Sequence, residues 1–419
     1  MPHNTSTMMP PLEVNLEPFG VSRNGFLPKE LPLQRLCDQY YESWEVIMDQ
    51  LPSLLTAASF RIKVDDLRVL SPSRLSSTRE WQRAYLILSF FTHSYIWEAG
   101  GPSQRLPSAI SVPFLEVASK LGLPPTATYA GLNLWNFSSL SPDASLSEME
   151  NLKVLHTFTG SRDEEWFYLV SVAMESQGAE IIPVMLKAMD AAQSDKPEVV
   201  TAALQKFALC VKEIGVLLKR MNEECRPDFF YNQIRPFLAG SKNMLHAGLP
   251  NGVFYDEGEG EGEWRQYSGG SNAQSSMIQF LDIVLGVEHT LTGASKGSKP
   301  GFLHEMRNYM PGSHRQFLQH MESIANIRQY AETTAATEVS EAYNQAVEEM
   351  SRFRDIHIQI VTRYIITPSR QQVPPSTSGM NLAIASTNAD TKGLHGTGGT
   401  ELLPFLRQSR DETKQAALE

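Results

Sequence analysis

The chain has 419 residues, more than one ordinary core needs, and its 42% hydrophobic and 20% charged residues describe a globular protein rather than a disordered one. A formal net charge of -11 disfavours nucleic acid and anionic membrane as partners, because both call for clustered Lys and Arg. The three cysteines, Cys37, Cys210 and Cys225, form no CxxC pair, so neither a disulfide framework nor a zinc–thiolate site is expected. The opening MPHNTSTMMPPLEV has no apolar core flanked by positive charge, and no run reaches the roughly 18 apolar residues of a membrane span. These features predict a cytoplasmic protein in a reducing compartment.

The first ~30 residues, rich in Pro, Asn and Ser, read as a surface arm. Apolar residues then recur at three and four, predicting helices over Leu33 to Ile62 and Ser77 to Trp97, with a shorter one over Pro113 to Gly122. Asn133 to Glu150 is rich in Ser and turn residues and reads as an interdomain connection. Ser161 and Glu164 have capping-box spacing, so a helix starts there and carries the stripe Trp166, Phe167, Val170, Ser171 and Met174. Helical patterns continue over Pro197 to Arg220, Phe229 to Leu238 and Gln274 to Leu285, and resume from Pro311. Between them, DEGEGEGEWRQYSGGSN alternates glycine with like charge and reads as a solvated loop. The longest periodic segment, Glu338 to Ile366, is expected to stop at Thr367-Pro368. A Pro, Ser, Gln and Asn linker, the Gly-rich HGTGGTELLPFL and a charged tail complete the chain.

The long helix carries the sharpest chemical clue. Its apolar stripe passes through Tyr343, Val347, Met350, Phe353, Ile360, Val361 and Tyr364, and His357 falls on it, seven residues from both Met350 and Tyr364. An imidazole facing an apolar interior must have its nitrogens satisfied, by hydrogen bonds in a core or by a metal such as haem iron. The pattern alone leaves both open. Arg354, one turn earlier, is either a solvated charge or a partner for a haem propionate.

RDIHIQIVTRYI (Arg354 to Ile365) resembles the proximal-histidine helix of the indoleamine 2,3-dioxygenase family. Five further segments resemble the family in the same order: WFYLVS at Trp166 to Ser171, FYNQIR at Phe230 to Arg235, GGSNAQSS at Gly269 to Ser276, RNYMPGSHR with the MP-x-x-HR at Met310 to Arg315, and GTGGT at Gly396 to Thr400. The resemblance, of fungal type, implies an all-α fold in which a small N-terminal helical domain (residues 1–156) packs on a larger helical haem-binding domain (residues 157–419). It implies haem b, ferrous in the active form, and a reaction that inserts both atoms of O2 across the indole C2–C3 bond of L-tryptophan to give N-formylkynurenine.

By the same resemblance His357 is the proximal iron ligand, and no side-chain acid or base is expected because the haem carries the chemistry. Ser271, Asn272, Ala273, Asp282, Arg354, Ile360 and Val361 would contact the haem, Arg354 and Asp282 on its propionate side. Tyr129, Phe167, Ser171, Phe230, Arg235 and Thr397 would bind substrate, with Tyr168 adding to the wall. Arg235 would take the tryptophan carboxylate, a role for which a guanidinium is suited. Asn272 and Ala273 depart from the residues common in the family, and Pro236 is expected to push Arg235 out of helical backbone. An electron donor, a monomeric state and the absence of nucleic-acid or membrane partners complete the expectation. The alternatives are a non-catalytic O2-binding haem protein and a low-activity paralogue on the same fold.

Overall fold

The computed structural model describes residues 14–141, 144–289, 301–370, 396–397 and 402–419. It is an all-α protein with a few short strands, as expected. The main helices are α1 (Thr78–Trp97), α2 (Ser108–Leu121), α3 (Arg162–Gly178), α4 (Ile181–Gln193), α5 (Pro197–Lys219), α6 (Ser276–Val284), α7 (Gly312–Ile324), α8 (Thr337–Val361) and α9 (Leu402–Lys414). Most buried apolar side chains form one cluster that draws on the chain from Val21 to Ala416, and a second, small one holds Val361, Ile366, Leu402 and Leu406. Within the fold α8 packs extensively along α5 and also against α9.

Local chemistry explains where the helices begin. α1 has a full capping box, with Ser77 accepting from the Glu80 amide and the Glu80 carboxylate accepting from the Ser77 amide. At α3 only half of the expected box forms. Ser161 Oγ accepts from the Glu164 amide, but the buried Glu164 carboxylate turns away to the amides of Phe158 and Thr159.

Several expectations are revised. Leu33 to Ile62 is not one helix but short pieces, Glu42–Asp49, Leu51–Thr56 and the start of Phe60–Asp65, broken where Ala58 takes φ 48°. α2 begins five residues before Pro113 and carries that proline inside it. The expected connection over Asn133 to Glu150 is folded structure that includes strand β2 (Phe137–Ser139), antiparallel to β3 (Leu152–Val154). The glycine–glutamate stretch is a hairpin, β4 (Val253–Gly258) with β5 (Glu261–Arg265), extended by the two-residue β1 (Arg105–Leu106) lying parallel to β4. Gly258, Glu259 and Gly260 all take positive φ at its turn, which is how alternating glycines serve a hairpin rather than a loop. Its glutamates are exposed, as expected.

Pro368 does not stop the long helix, because a π-turn at Thr362–Ile366 leads into a helical turn at Thr367–Arg370. The charged tail is the amphipathic α9, whose Leu402, Leu406, Ser409 and Thr413 are buried. The run Arg162–Gln193 is long and apolar enough to pass for a membrane span, yet its most apolar stretch is mostly buried inside the protein. The N-terminal residues 1–13, residues 142–143 and 290–300, the linker over 371–395 and residues 398–401, which include the last three of the GTGGT stretch, lie outside the described residues.

Candidate functional site

A cavity with about 1710 Å³ of empty space, its open mouth included, lies between α3, α8, α9 and the irregular segments around Tyr129, Phe230 and Ser271. Three π-turns border it: Ala130–Leu134, Phe230–Ile234 and Thr362–Ile366. Such one-residue expansions re-aim side chains without ending a helix, and they are frequent at functional sites.

α8 brings His357, Ile360 and Val361 to the cavity, together with Phe353 and Arg354. The imidazole of His357 has no hydrogen-bond partner among the described residues. Burial, reinforced by the Arg354 charge, pushes its pKa down to about 4, so the ring is neutral at physiological pH. A neutral imidazole with an open nitrogen, set among apolar neighbours, is what an iron ligand requires. It is the one histidine lining the cavity among the described residues.

Arg354 donates to both oxygens of Asp282 at 2.5 and 2.7 Å, and to Ser409 Oγ of α9 at 2.7 Å. Asp282 in turn meets His289 at 3.2 Å, and His289 meets Glu412 of α9 at 2.8 Å. Burial works against ionisation of Asp282, but Arg354 and His289 together hold its pKa below the usual carboxylate range. Of the residues expected at the site, Asp282 alone stands behind the wall rather than in it, where it orients Arg354.

On α3, Phe167 and Ser171 share the cavity face, and Phe167 meets the Phe230 ring at 5.0 Å. The Phe230 segment runs as a turn of helix (Pro227–Phe229), a π-turn, then helix again at Arg235–Leu238. Arg235 keeps helical backbone, φ -53° and ψ -36°, contrary to the bias expected from Pro236. The π-turn ahead of it releases the constraint, and Ile234 departs from ideal helix instead, at φ -90°. Arg235 is buried and lines the cavity, with its guanidinium 5.6 Å from the Tyr231 ring centroid.

Ser271, Asn272 and Ala273 reach the cavity on a 3-10 turn that Ser271 caps. The approach depends on Gly269, where a Cβ would sit 2.0 Å from the Leu238 carbonyl oxygen. Gln274 staples the turn, accepting from the Tyr129 amide and donating to the Gly269 carbonyl, both at 2.9 Å. Thr397 closes the same wall, its hydroxyl donating to the Gly270 carbonyl at 2.8 Å. Tyr129 and Tyr168 line the cavity as expected.

The family pattern for indoleamine 2,3-dioxygenase matches residues 15–416. The chain belongs to the indoleamine 2,3-dioxygenase family. It is 44% identical to an indoleamine 2,3-dioxygenase of Saccharomyces cerevisiae, over 98% of this chain and 95% of the relative. It is 42% identical to one of Aspergillus nanangensis, over 98% of both chains, and 38% identical to a 6-hydroxytryptophan 2,3-dioxygenase of Fusarium equiseti, over 97% and 99%. Membership makes the chain an oxidoreductase of the dioxygenase class.

Some cavity residues were not anticipated. Asn133 and Glu175 line the wall, the latter accepting from Tyr129 at 3.0 Å and Ser275 at 2.6 Å. Leu402, Phe405, Leu406 and Ser409 come from α9. The α9 residues had a legible signal, since Leu402, Leu406 and Ser409 follow helical spacing. Glu175 had one too, at i+4 from Ser171 and i+8 from Phe167 on one helix face.

Proposed function

We propose that the chain binds haem b through His357 and opens the indole ring of L-tryptophan with O2, giving N-formylkynurenine. The observation that carries this is the neutral, unpartnered imidazole of His357 in the wall of a cavity that also holds the buried cation Arg235. Bound haem supplies the redox-active iron that activates O2, and an external electron donor keeps that iron ferrous.

The chain's own residues bind, orient and exclude water. Ile360, Val361 and Phe353 give the imidazole apolar neighbours against which a porphyrin face packs. Arg354, fixed by Asp282 and Ser409, sets a positive charge at the cavity edge for a propionate. Arg235 takes the substrate carboxylate, and the Phe167–Phe230 pair flanks the indole. Thr397, tied to Gly270, closes over the amino-acid end and limits water.

Haem-loaded protein under reducing conditions should form N-formylkynurenine from L-tryptophan in air, and His357→Ala should lose both the Soret band and turnover. An unchanged Soret band in that variant would remove His357 from its role. Reversible O2 uptake without product would favour the non-catalytic haem protein instead. One relative is named for a ring-hydroxylated tryptophan, so the choice of indole is the part of this proposal that the cavity wall must decide.

A further inference from the structure

Behind the cavity wall, charged side chains of three helices meet at His289. Its Nε2 lies 3.2 Å from Asp282 of α6 and 3.3 Å from Arg354 Nη2 of α8, and its Nδ1 lies 2.8 Å from Glu412 of α9. Glu288, its neighbour in the chain, is exposed, and Gln408 of α9 donates to Glu412 at 2.8 Å. The side chains of His289, Asp282, Glu412 and Arg354 are 12%, 5%, 12% and 11% exposed, so water and salt screen them little.

Two arrangements satisfy the ring. With both nitrogens protonated, Nδ1–H donates to Glu412 and Nε2–H to Asp282, and two carboxylates, one guanidinium and one imidazolium sum to zero charge. With a single proton, Nδ1–H still donates to Glu412 while Nε2 accepts from Arg354, and the same four groups carry one net negative charge. Burial and the Arg354 charge work against the imidazolium, but Asp282 and Glu412 outweigh them and raise its pKa above the ordinary 6.5.

The cluster reaches the cavity by two routes. Arg354 lines it directly, and Ser409, one turn before Glu412, lines it from α9. Leu402, Phe405 and Leu406 of α9 belong to the same wall, so what holds α9 in place also holds that wall.

We propose that His289 is a positioning residue for the cofactor edge: joined to Asp282 and Glu412 it fastens α9 to the cavity wall, and its second proton cancels the surplus negative charge behind Arg354. This rests on the reading of the cavity as a haem site with Arg354 at the propionate edge. A propionate is an anion, so the neutral cluster accepts it and the cluster of net charge -1 repels it. The contribution is complete below pH 6.5 and is lost as pH rises through the raised value of the folded chain.

The test follows two readouts from about pH 6 to about pH 9, a range that spans an ordinary and a raised imidazole. The first is the rate of haem transfer from the ferric, haem-loaded full chain to excess apomyoglobin, which should rise about fivefold or more with pH. In His289→Gln, which cannot take up the second proton, transfer should be fast already at the acid end and flat with pH. Glu412→Gln removes one of the carboxylates that hold the proton, so its rise should move to lower pH. The second readout is amide hydrogen exchange of α9 in the full chain with and without haem, corrected for the intrinsic effect of pH. Protection should fall over the same window in the unmodified chain and stay level in His289→Gln. A transfer rate that is flat in the unmodified chain, or a pH profile that survives in His289→Gln, overturns the proposal. Should His289→Gln fail to fold, the displacement of the Glu412→Gln profile decides, and an undisplaced profile overturns it. A chain that takes up no haem would strike the haem reading instead. The α9 exchange profile would then still test the contact with His289, and protection independent of pH would overturn it.

Discussion

Arg235 and Glu175 are both buried ionisable groups in the wall of one cavity, and they bear their burial in different ways. Burial lowers the pKa of Arg235 below its usual value, but a guanidinium does not give up its proton in a protein, so the charge stays. Glu175 is pushed up to about 7 and can become neutral at the cost of one proton. The cavity wall therefore carries a permanent charge at Arg235, suited to a carboxylate, and a group of adjustable protonation at Glu175. Arg354 is a third case. It also lines the cavity, yet its charge is matched inside the protein by Asp282. On the proposed reading the matched cation positions a cofactor edge and Arg235 serves the substrate carboxylate.

That contrast is broken most severely by removing Asp282. Asp282→Ala leaves Arg354 charged, about 11% exposed and without its bidentate partner. Breaking such a pair costs about 3–5 kcal/mol. Denaturant unfolding of the haem-loaded protein should register most of this. A loss below about 1 kcal/mol would mean that Ser409 and the haem edge satisfy Arg354 unaided. The next effect in size is at Arg235 itself. Arg235→Ala should raise KM for L-tryptophan roughly 30-fold or more, as losing one partner of a buried charge pair does, with the Soret band intact. Tryptamine, which lacks the carboxylate, should lose far less. Equal losses for the two ligands would show that Arg235 acts by packing and not by charge.

Much of this site was legible in the residues themselves, for identifiable reasons. α8 keeps an unbroken 3.6-residue pattern, so its stripe and the place of His357 on it could be read directly, and Tyr343, Met350, Phe353 and Tyr364 are all buried. The motif around Arg235 was legible but its backbone was not, because local bias from Pro236 is relieved by a π-turn that no single-residue propensity announces. The glycine–glutamate stretch misled for a related reason. Alternating glycines suggested a solvated loop, while Phe254 against Trp264, at 5.7 Å across the strands, supplies the pairing that makes a hairpin. Asn133 and Glu175 were passed over because the segment of one looked like a connection and the other looked like a polar residue beyond the stripe. The spacing of Glu175 from Ser171 and Phe167 marked the face, and the Tyr129 and Ser275 hydroxyls supply the partners that hold it there.

The smallest of these effects tests the adjustable group of the cavity wall, and its sign follows from the direction of the pKa. Below pH 4.5 the Glu175 carboxyl is protonated in both folded and unfolded chains and has no influence on stability through its proton. As pH rises from 4.5, the unfolded chain ionises while the folded one holds its proton. The folded state loses ground until the pH passes about 7, where both are ionised and the loss levels off. The largest loss this allows is about 3 kcal/mol. Glu175→Gln cannot ionise, so its stability relative to the unmodified protein should climb between pH 4.5 and 7 by up to that amount and then stay flat. A relative stability that does not change with pH would mean that Glu175 is already ionised in the fold. It would then be a second fixed charge opposite in sign to Arg235, and the difference between the two groups would be one of sign alone.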